Sequence, residues 1–288
     1  MIMELNLSGL PVWWDAQKME LLFGPEKRAL EPAVRRLGEM RDVLYQEKRP
    51  GKKEDERALY FMYRDLNLPE HQVLFEEKGI RYDITVLVPG SIGAEYIKTA
   101  GHYHPLKPGA HCTYPEVYEV LHGRAYYLMQ RPHHLKEPQK GLEQVIVVAA
   151  EPGDKVLIPP DFGHVTINPG PDFLIMSNLV AAAFQSIYEP LQEMGGAGYY
   201  GLVPAGDNDH QGGKEAADGE PLFIANPRYS SPPPLAQARP QELLQFSLSK
   251  ETPQYRAFVT NSDNFAFLTH PENFAQEFEK YLQSLLKK

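Results

Sequence analysis

The sequence predicts a mainly β protein, built as an antiparallel sandwich or barrel with helical segments at both ends. Nine short runs rich in β-branched and aromatic residues follow one another between about residues 59 and 180, separated by turn signals rather than by helices. The 22 glycines and 26 prolines among 288 residues exceed the usual share of about 12%. This surplus favours many turns and argues against a helical bundle.

The N-terminal segment, residues 1–58, is predicted to be a helical lead-in that packs on the barrel. Within residues 15–48, four apolar side chains recur at spacings of four, three and three: Leu30, Val34, Leu37 and Met40. This spacing is typical of an amphipathic helix that lies on a sheet. The barrel itself is assigned to residues 59–229.

The last part of the chain, residues 230–288, is predicted to be a Pro-rich linker followed by a helical extension. SSPPPLAQARP at 230–240 has the composition of an extended linker, and the polar, Gly-rich stretch at 202–223 that of an exposed loop. Thr269 and Glu272 have the spacing of a helix capping box. The final segment has one apolar helical face, formed by Phe274, Phe278, Tyr281, Leu282 and Leu285. We expect this helix to pack on the rest of the chain or in a dimer.

The composition argues against several classes of function. Lysine and arginine total 29 against 38 aspartates and glutamates, a formal net charge of −9. General electrostatic binding to nucleic-acid phosphates is therefore not expected. A phosphate ligand must therefore be held locally. The single cysteine, Cys112, cannot form an intramolecular disulfide or a multi-thiolate zinc site. Without a signal-peptide pattern or an apolar run of membrane-spanning length, we expect a cytoplasmic protein with no membrane partner.

Three of the ten histidines stand in a pattern that suggests a metal site. His102 and His104 are two apart on a predicted strand, so both imidazoles point to the same face. Glu116 opens the next strand, and His164 lies on a later strand after a Pro-rich turn. Three imidazoles and one carboxylate suit a divalent metal ion with open coordination positions. The alternative is an exposed histidine pair on an edge strand.

These residues resemble the two motifs of the cupin superfamily, G-x5-H-x-H-x3–4-E-x6-G and G-x5-P-x-G-x2-H-x3-N. The first motif is matched by His102, His104, Glu116 and Gly123, and the second by Gly153, Pro159, His164 and Asn168. Two departures stand out: the spacer PLKPGAHCTYP before Glu116 is long, and Asp161 replaces the usual glycine of the second motif. The resemblance implies an antiparallel double-stranded β-helix, the jelly-roll barrel of cupins.

The surrounding sequence resembles the cupin-type, or archaeal-type, glucose-6-phosphate isomerases over roughly residues 30–229. The segments that carry the likeness are RYDITVLVPGSIGAEYIKTAGHYHP, PEVYEVLHGRAYYLMQ and PGDKVLIPPDFGHVTIN. The resemblance implies a homodimeric, metal-dependent isomerase of glycolysis and gluconeogenesis that interconverts glucose 6-phosphate and fructose 6-phosphate. It also implies one divalent ion per chain, with Fe²⁺ as the first expectation and Mn²⁺, Ni²⁺ or Zn²⁺ as alternatives.

By this resemblance, His102, His104, Glu116 and His164 are the expected metal ligands, and Glu116 is also the candidate catalytic base. A hydride shift is the alternative to proton transfer through Glu116. The expected substrate-binding residues are Thr85, Thr99 and Gly101 at the phosphate, Tyr60 and Tyr118 at the sugar, and Tyr200. In a regular strand, Thr99 and Gly101 would face away from the two histidines, so either a bulge turns the chain or Thr99 acts from the strand end.

One family feature is incomplete in this chain. In the family, a His-Asp-Tyr triplet follows the second motif, whereas the corresponding region here reads GAGYYG. Tyr200 matches the tyrosine, and the histidine is missing. Three alternatives therefore stay open: another sugar-phosphate isomerase or epimerase, a cupin oxygenase, and a non-catalytic sugar-phosphate-binding cupin.

Overall fold

The structure is a computed structural model, and it describes residues 2–45, 51–204 and 219–287. Its strands are Ile2–Glu4 (β1), Val12–Asp15 (β2), Glu20–Phe23 (β3), Arg28–Ala29 (β4), Ala33–Arg36 (β5), Ala58–Tyr63 (β6), Ile80–Leu87 (β7), Ser91–Ile92 (β8), Glu95–Tyr96 (β9), Glu116–His122 (β10), Ala125–Pro132 (β11), Leu142–Ala150 (β12), Lys155–Ile158 (β13), Gly163–Ile167 (β14), Leu174–Ala181 (β15), Tyr199–Leu202 (β16), Leu222–Ala225 (β17) and Leu235–Ala238 (β18). Its α-helices are Gln72–Lys78 (α1), Glu189–Glu193 (α2), Gln254–Thr260 (α3) and Ala275–Leu286 (α4). The predicted exposed loop at 202–223 lies mostly outside the described residues.

Two sheets form the barrel and enclose its core. The larger has the strand order β13-β10-β15-β7-β6-β5, with every pairing antiparallel, and the smaller has the order β14-β11-β12-β18. The consecutive strands β10 and β11 belong to different sheets, so the chain passes from one sheet to the other between them. The ring of Tyr118 on β10 packs against that of Tyr127 on β11, with centroids 5.1 Å apart. This arrangement confirms the predicted antiparallel β architecture.

The N-terminal segment differs from its prediction. Strands β1 to β4 form a separate antiparallel sheet, and β5 pairs with β6 at the edge of the larger barrel sheet. The prediction of an amphipathic α-helix is therefore wrong for residues 15–45, the described part of this stretch, where the one helical segment is a 3₁₀ helix, Leu37–Val43. Leu37, Met40 and Val43 are its buried residues. Their spacing of three matches the three residues per turn of a 3₁₀ helix, which explains why the pattern resembled an α-helix.

The C-terminal extension packs on the outside of the barrel. Its predicted linker contributes a strand, because β18 pairs in parallel with β12. The predicted terminal helix is present as α4, with Phe278, Tyr281, Leu282 and Leu285 buried. The prediction that Thr269 begins a helix as part of a capping box is wrong. Thr269 follows the last residue of a 3₁₀ segment, and the residue that caps the start of α4 is Phe274. None of the helices in the described ranges has both the length and the apolar character needed to cross a membrane.

A buried polar cluster joins this extension to the barrel. Glu119 on β10 accepts hydrogen bonds from the ammonium of Lys155 at 2.9 Å and from the first backbone N–H of α3, that of Gln254, at 2.7 Å. The Gln254 side chain also donates to the hydroxyl of Ser177 on β15 at 2.8 Å. Burial raises the pKa of Glu119 to about 7, although the charge of Lys155 opposes the shift. The amide at the start of α3, which has no partner within the helix, is thus satisfied by the barrel.

Replacing Glu119 by alanine tests this attachment. The change leaves the Lys155 ammonium buried without its carboxylate, and removing one partner of a buried pair costs about 3–5 kcal/mol. We expect a loss of that size in the free energy of unfolding, measured by urea denaturation at pH 8, where Glu119 is ionised. The matched control is Glu143→Ala, which removes an exposed carboxylate 3.6 Å from Arg131 and should change the free energy by less than about 0.5 kcal/mol. Equal effects of the two changes would contradict the role given to Glu119.

Candidate functional site

Four side chains converge between the two barrel sheets. His102 and His104 follow β9, Glu116 opens β10, and His164 lies on β14. The Nε2 atoms of His102 and His104 are 3.2 Å apart, and Oε2 of Glu116 lies 3.4 Å from Nε2 of His104 and 3.2 Å from Nε2 of His164. One ligand atom from each of the four residues lies within 4.8 Å of all the others.

This geometry fits a bound divalent metal ion. Atoms bonded to one ion at about 2.0–2.2 Å lie about 2.8–3.6 Å from their neighbours, and the three measured separations fall in that range. The Nδ1 atom of His104 lies 2.8 Å from the carbonyl oxygen of Tyr114, so this nitrogen carries the proton and Nε2 is left for a metal. Oε2 of Glu116 is buried and has no hydrogen-bond donor among the described residues. A buried carboxylate oxygen without a donor is costly, and a cation would satisfy it.

The protonation states of the cluster also suit a metal site. Burial and the neighbouring His164 and His104 hold the pKa of His102 well below its usual value, so the ring is neutral. Burial alone would raise the pKa of Glu116, but the contacts with His104 and His164 hold it well below its usual value. Neutral imidazoles and an ionised carboxylate are the forms that bind metal ions.

A β-bulge places the residues before the histidine pair on the same side of the chain. Lys98 pairs with Ile167, and His102 pairs with His164, so one strand has one residue more than the other between these two pairs. Gly101 lies at the extra position with φ +74°. A Cβ atom there would lie 2.4 Å from the side chain of Val165, closer than real contacts allow. The bulge, rather than a strand end, therefore aligns Thr99 with the histidines.

Five of the six predicted substrate-binding residues meet in one cavity that is partly open to solvent. They are Tyr60, Thr85, Thr99, Gly101 and Tyr118, and His102, His104 and Glu116 line the same cavity. The hydroxyl of Tyr118 lies 3.1 Å from Nε2 of His164. Burial, and then the charge of Glu116, raise the pKa of Tyr118 well above its usual value, so this hydroxyl keeps its proton.

The structure does not bring Tyr200 to this cavity. Tyr200 lies on β16, in a separate small sheet of strand order β17-β16-β9-β8. Its hydroxyl donates to the carbonyl oxygen of Gly195 at 2.8 Å, and its ring packs against that of Tyr45 with centroids 5.3 Å apart. The tyrosine that matched the family triplet therefore lies in the small sheet and does not line the cavity.

Several polar residues of the cavity were not among the predicted site residues. On β7, Arg81 and Asp83 lie on the same face of the strand as Thr85. Arg64 follows the neighbouring strand β6. Nε of Arg81 and an Nη atom of Arg64 lie 2.9 Å and 3.3 Å from Oδ2 of Asp83. The alternation in RYDIT contained the signal, because a period of two places Arg81, Asp83 and Thr85 on one face. The cavity is completed by Met62, Met176, Asn178, Val180, Phe184, Ser186 and Tyr188.

The two departures from the cupin motifs turn out to be connected. Asp161, in the position of the usual glycine, has φ +73°, a left-handed conformation that aspartate tolerates better than most residues. Its carboxylate accepts from the backbone N–H of Thr113 at 2.9 Å, and the Thr113 hydroxyl accepts from the Asp161 N–H at 2.6 Å. Thr113 belongs to the long spacer before Glu116. Asp161 therefore anchors the extra length of that loop. Cys112, next to Thr113, does not line the cavity.

Comparisons with known proteins show the family to which the sequence is similar. A sequence model of the glucose-6-phosphate isomerase (GPI) family matches residues 34–217. The glucose-6-phosphate isomerase of Pyrococcus abyssi is 28% identical over 200 residues, which cover 69% of this chain and 88% of that protein. That of Thermococcus litoralis is 30% identical over 163 residues, covering 57% and 76%. Among solved structures, an oxalate decarboxylase from Bacillus subtilis matches 45% of this chain and 27% of its own, with 15% identity and a TM-score of 0.32.

Metal binding by the four converging side chains can be measured directly. We expect about one divalent ion per chain after loading and gel filtration, determined by elemental analysis. The double variant Glu116→Gln, His164→Ala removes the carboxylate charge and one imidazole, and we expect it to retain less than about a tenth of an ion. The control is His134→Ala, which removes an exposed histidine and should leave the metal content unchanged. Full metal content in the double variant would refute the assignment.

Proposed function

This chain belongs to the cupin-type glucose-6-phosphate isomerase family, and on that premise we propose that it interconverts glucose 6-phosphate and fructose 6-phosphate with a divalent metal ion. The observation that carries the proposal is that His102, His104 and Glu116, which converge with His164, line the same cavity as Tyr60, Thr85 and Thr99. A cation and hydroxyl donors in one cavity suit a sugar with a phosphate group.

We propose that His102, His104, Glu116 and His164 hold the ion. When bound, such an ion polarises a carbonyl group and stabilises negative charge on sugar oxygens. Imidazole ligands suit iron, nickel and zinc, while a carboxylate is also favourable to manganese. Fe²⁺ remains our first proposal, with Mn²⁺, Ni²⁺ and Zn²⁺ as alternatives.

Two residues of the chain are suited to move protons. The contacts of Glu116 with His104 and His164 are both made by Oε2, which leaves Oε1 as the candidate base for the hydrogen moved between C2 and C1. The Tyr118 hydroxyl, 3.1 Å from Nε2 of His164, keeps its proton and can donate to a sugar oxygen. Both residues lie on β10, two apart, so their side chains point to the same face of the strand.

The phosphate is proposed to lie at Thr85, Thr99 and Gly101. The Thr99 hydroxyl accepts from the backbone N–H of Thr166 at 2.9 Å, and the Tyr60 hydroxyl accepts from that of Ala100 at 3.2 Å. Each hydroxyl therefore has its own hydrogen available to donate, that of Thr99 to the phosphate and that of Tyr60 to the sugar. Gly101, without a side chain, lets the ligand approach the backbone closely.

A second candidate function is favoured by one observation. The family histidine is missing, and Tyr200 does not line the cavity; its hydroxyl donates to the carbonyl oxygen of Gly195. A cavity that lacks a family residue of this kind would be consistent with sugar-phosphate binding without turnover. Binding of fructose 6-phosphate by metal-loaded protein that produces no glucose 6-phosphate would identify that case.

The isomerase proposal is tested by a coupled assay of fructose 6-phosphate conversion. We expect activity to disappear on chelation and to return on re-addition of single metal ions. Glu116→Gln should lower kcat by about 10²–10⁴-fold, the usual contribution of a general base, and His164→Ala should lower metal-dependent activity to a similar extent. His134→Ala, an exposed change, should behave as wild type. Full activity in both site variants would overturn the assignment.

Running the reaction in deuterated water separates the two routes for the moving hydrogen. Proton transfer through Glu116 exchanges the proton with solvent, so we expect deuterium on carbon in the product, detected by NMR or mass spectrometry. A hydride shift carries the hydrogen directly from C2 to C1. Product without solvent deuterium would rule out the role of Glu116 as a base and leave its metal-ligand role in place.

A further inference from the structure

We infer that Arg64 is a specificity-determining residue that binds the phosphate of the sugar substrate, a role that rests on the proposed function. Arg64 follows β6 and lines the cavity together with Thr85 and Thr99. In this role the guanidinium group binds the charged phosphate, in addition to the hydroxyl groups and backbone of the proposed phosphate site.

The position of the guanidinium group is fixed by two contacts. One Nη atom lies 3.3 Å from Oδ2 of Asp83, and the other lies 3.5 Å from the sulfur of Met62. In the pairing of β6 with β7, Met62 is directly opposite Thr85. The guanidinium group thus contacts the residue that pairs with Thr85, and Arg64 and Thr85 line the same cavity.

The donors of this guanidinium are not used to capacity. A thioether sulfur is a weak acceptor, whereas phosphate oxygens are strong ones that match the planar guanidinium geometry. A phosphate on Thr85 and Thr99 can replace the sulfur contact and leave the Asp83 contact in place. The contact with Asp83 thereby orients the guanidinium group of Arg64 before the ligand binds.

The local charge favours an anion at this position. Asp83 is buried and is shared by two arginines, Arg64 and Arg81, while its Oδ1 atom accepts from the backbone N–H of Asp65 at 2.9 Å. Asp65 and Glu116 also act electrostatically on Arg81, so the charge of Arg81 is balanced by nearby carboxylates. The one ion pair of Arg64 in the described part of the chain is with Asp83, which Arg81 shares. Arg64 is therefore the cation of this group that is least balanced and can meet a dianionic substrate.

A purely structural ion pair does not explain these features equally well. The side chain of Arg64 is 46% exposed, and pairs of that kind add little to stability. Arg81, at 19% exposure and 2.9 Å from Asp83, already pairs with the buried carboxylate. Arg64 is therefore not needed to keep Asp83 paired, and its open side faces the cavity.

The test compares three variants by calorimetric binding of fructose 6-phosphate to metal-loaded protein and by steady-state kinetics. We expect Arg64→Gln to raise the dissociation constant and KM at least tenfold with kcat within about threefold of wild type, since charge-assisted hydrogen bonds to ligands are worth that factor or more. Arg64→Lys keeps the charge but loses the fork, so an intermediate value is expected. The matched control is Arg124→Gln, which removes an arginine of similar exposure, 40%, outside the cavity.

The outcomes are distinguishable from a failure of the proposed function. Binding of fructose 6-phosphate by wild type without turnover overturns the isomerase proposal alone, and the Arg64 comparison then stands on the dissociation constants. Absence of any fructose 6-phosphate binding by wild type overturns both. Unchanged binding by Arg64→Gln relative to Arg124→Gln, with both variants folded by circular dichroism, overturns the role of Arg64.

Discussion

The pairing of His102 with His164 is the contact on which the site depends. It joins two segments that are 62 positions apart in the chain, and the backbone N–H of each donates to the carbonyl of the other at 3.1 and 3.0 Å. The extra residue at Gly101 turns the preceding segment, so that Thr99 lies on the cavity side together with both histidines. A regular strand would satisfy the same hydrogen bonds and would separate the hydroxyl from the metal ligands.

The unusual loop before Glu116 is accommodated by a local exchange of hydrogen bonds. A longer loop costs little entropy, but its last residues must still deliver Glu116 in the correct position. Thr113 lies three residues before Glu116 and bonds reciprocally with Asp161, which itself lies three residues before His164. One side-chain pair therefore fixes the approach to two expected ligands. The two departures from the motif are thus linked by one pair of hydrogen bonds.

How much could be predicted from the sequence differs with the range of the signal. The barrel strands and the four converging side chains were predictable, because alternation within a strand and ligand chemistry are local properties. The N-terminal strands were not, since a spacing of three at Leu37, Met40 and Val43 fits a 3₁₀ turn as well as an α-helix. The environment of Tyr200 and the sharing of Asp83 by Arg64 and Arg81 were not predictable either. They depend on which strands become neighbours, and composition does not encode that.

Strand β10 connects the site to the C-terminal extension. Glu116 and Tyr118 point into the cavity, while Glu119 points to the opposite face. Here α3 covers it, and a carboxylate bonded to Lys155 and to the Gln254 amide fixes the outer face of the strand. The strand is thus packed on both faces, which limits the movement of Glu116 relative to the histidines. Since metal ligands need positions accurate to a fraction of an ångström, the extension contributes to the site without contacting it.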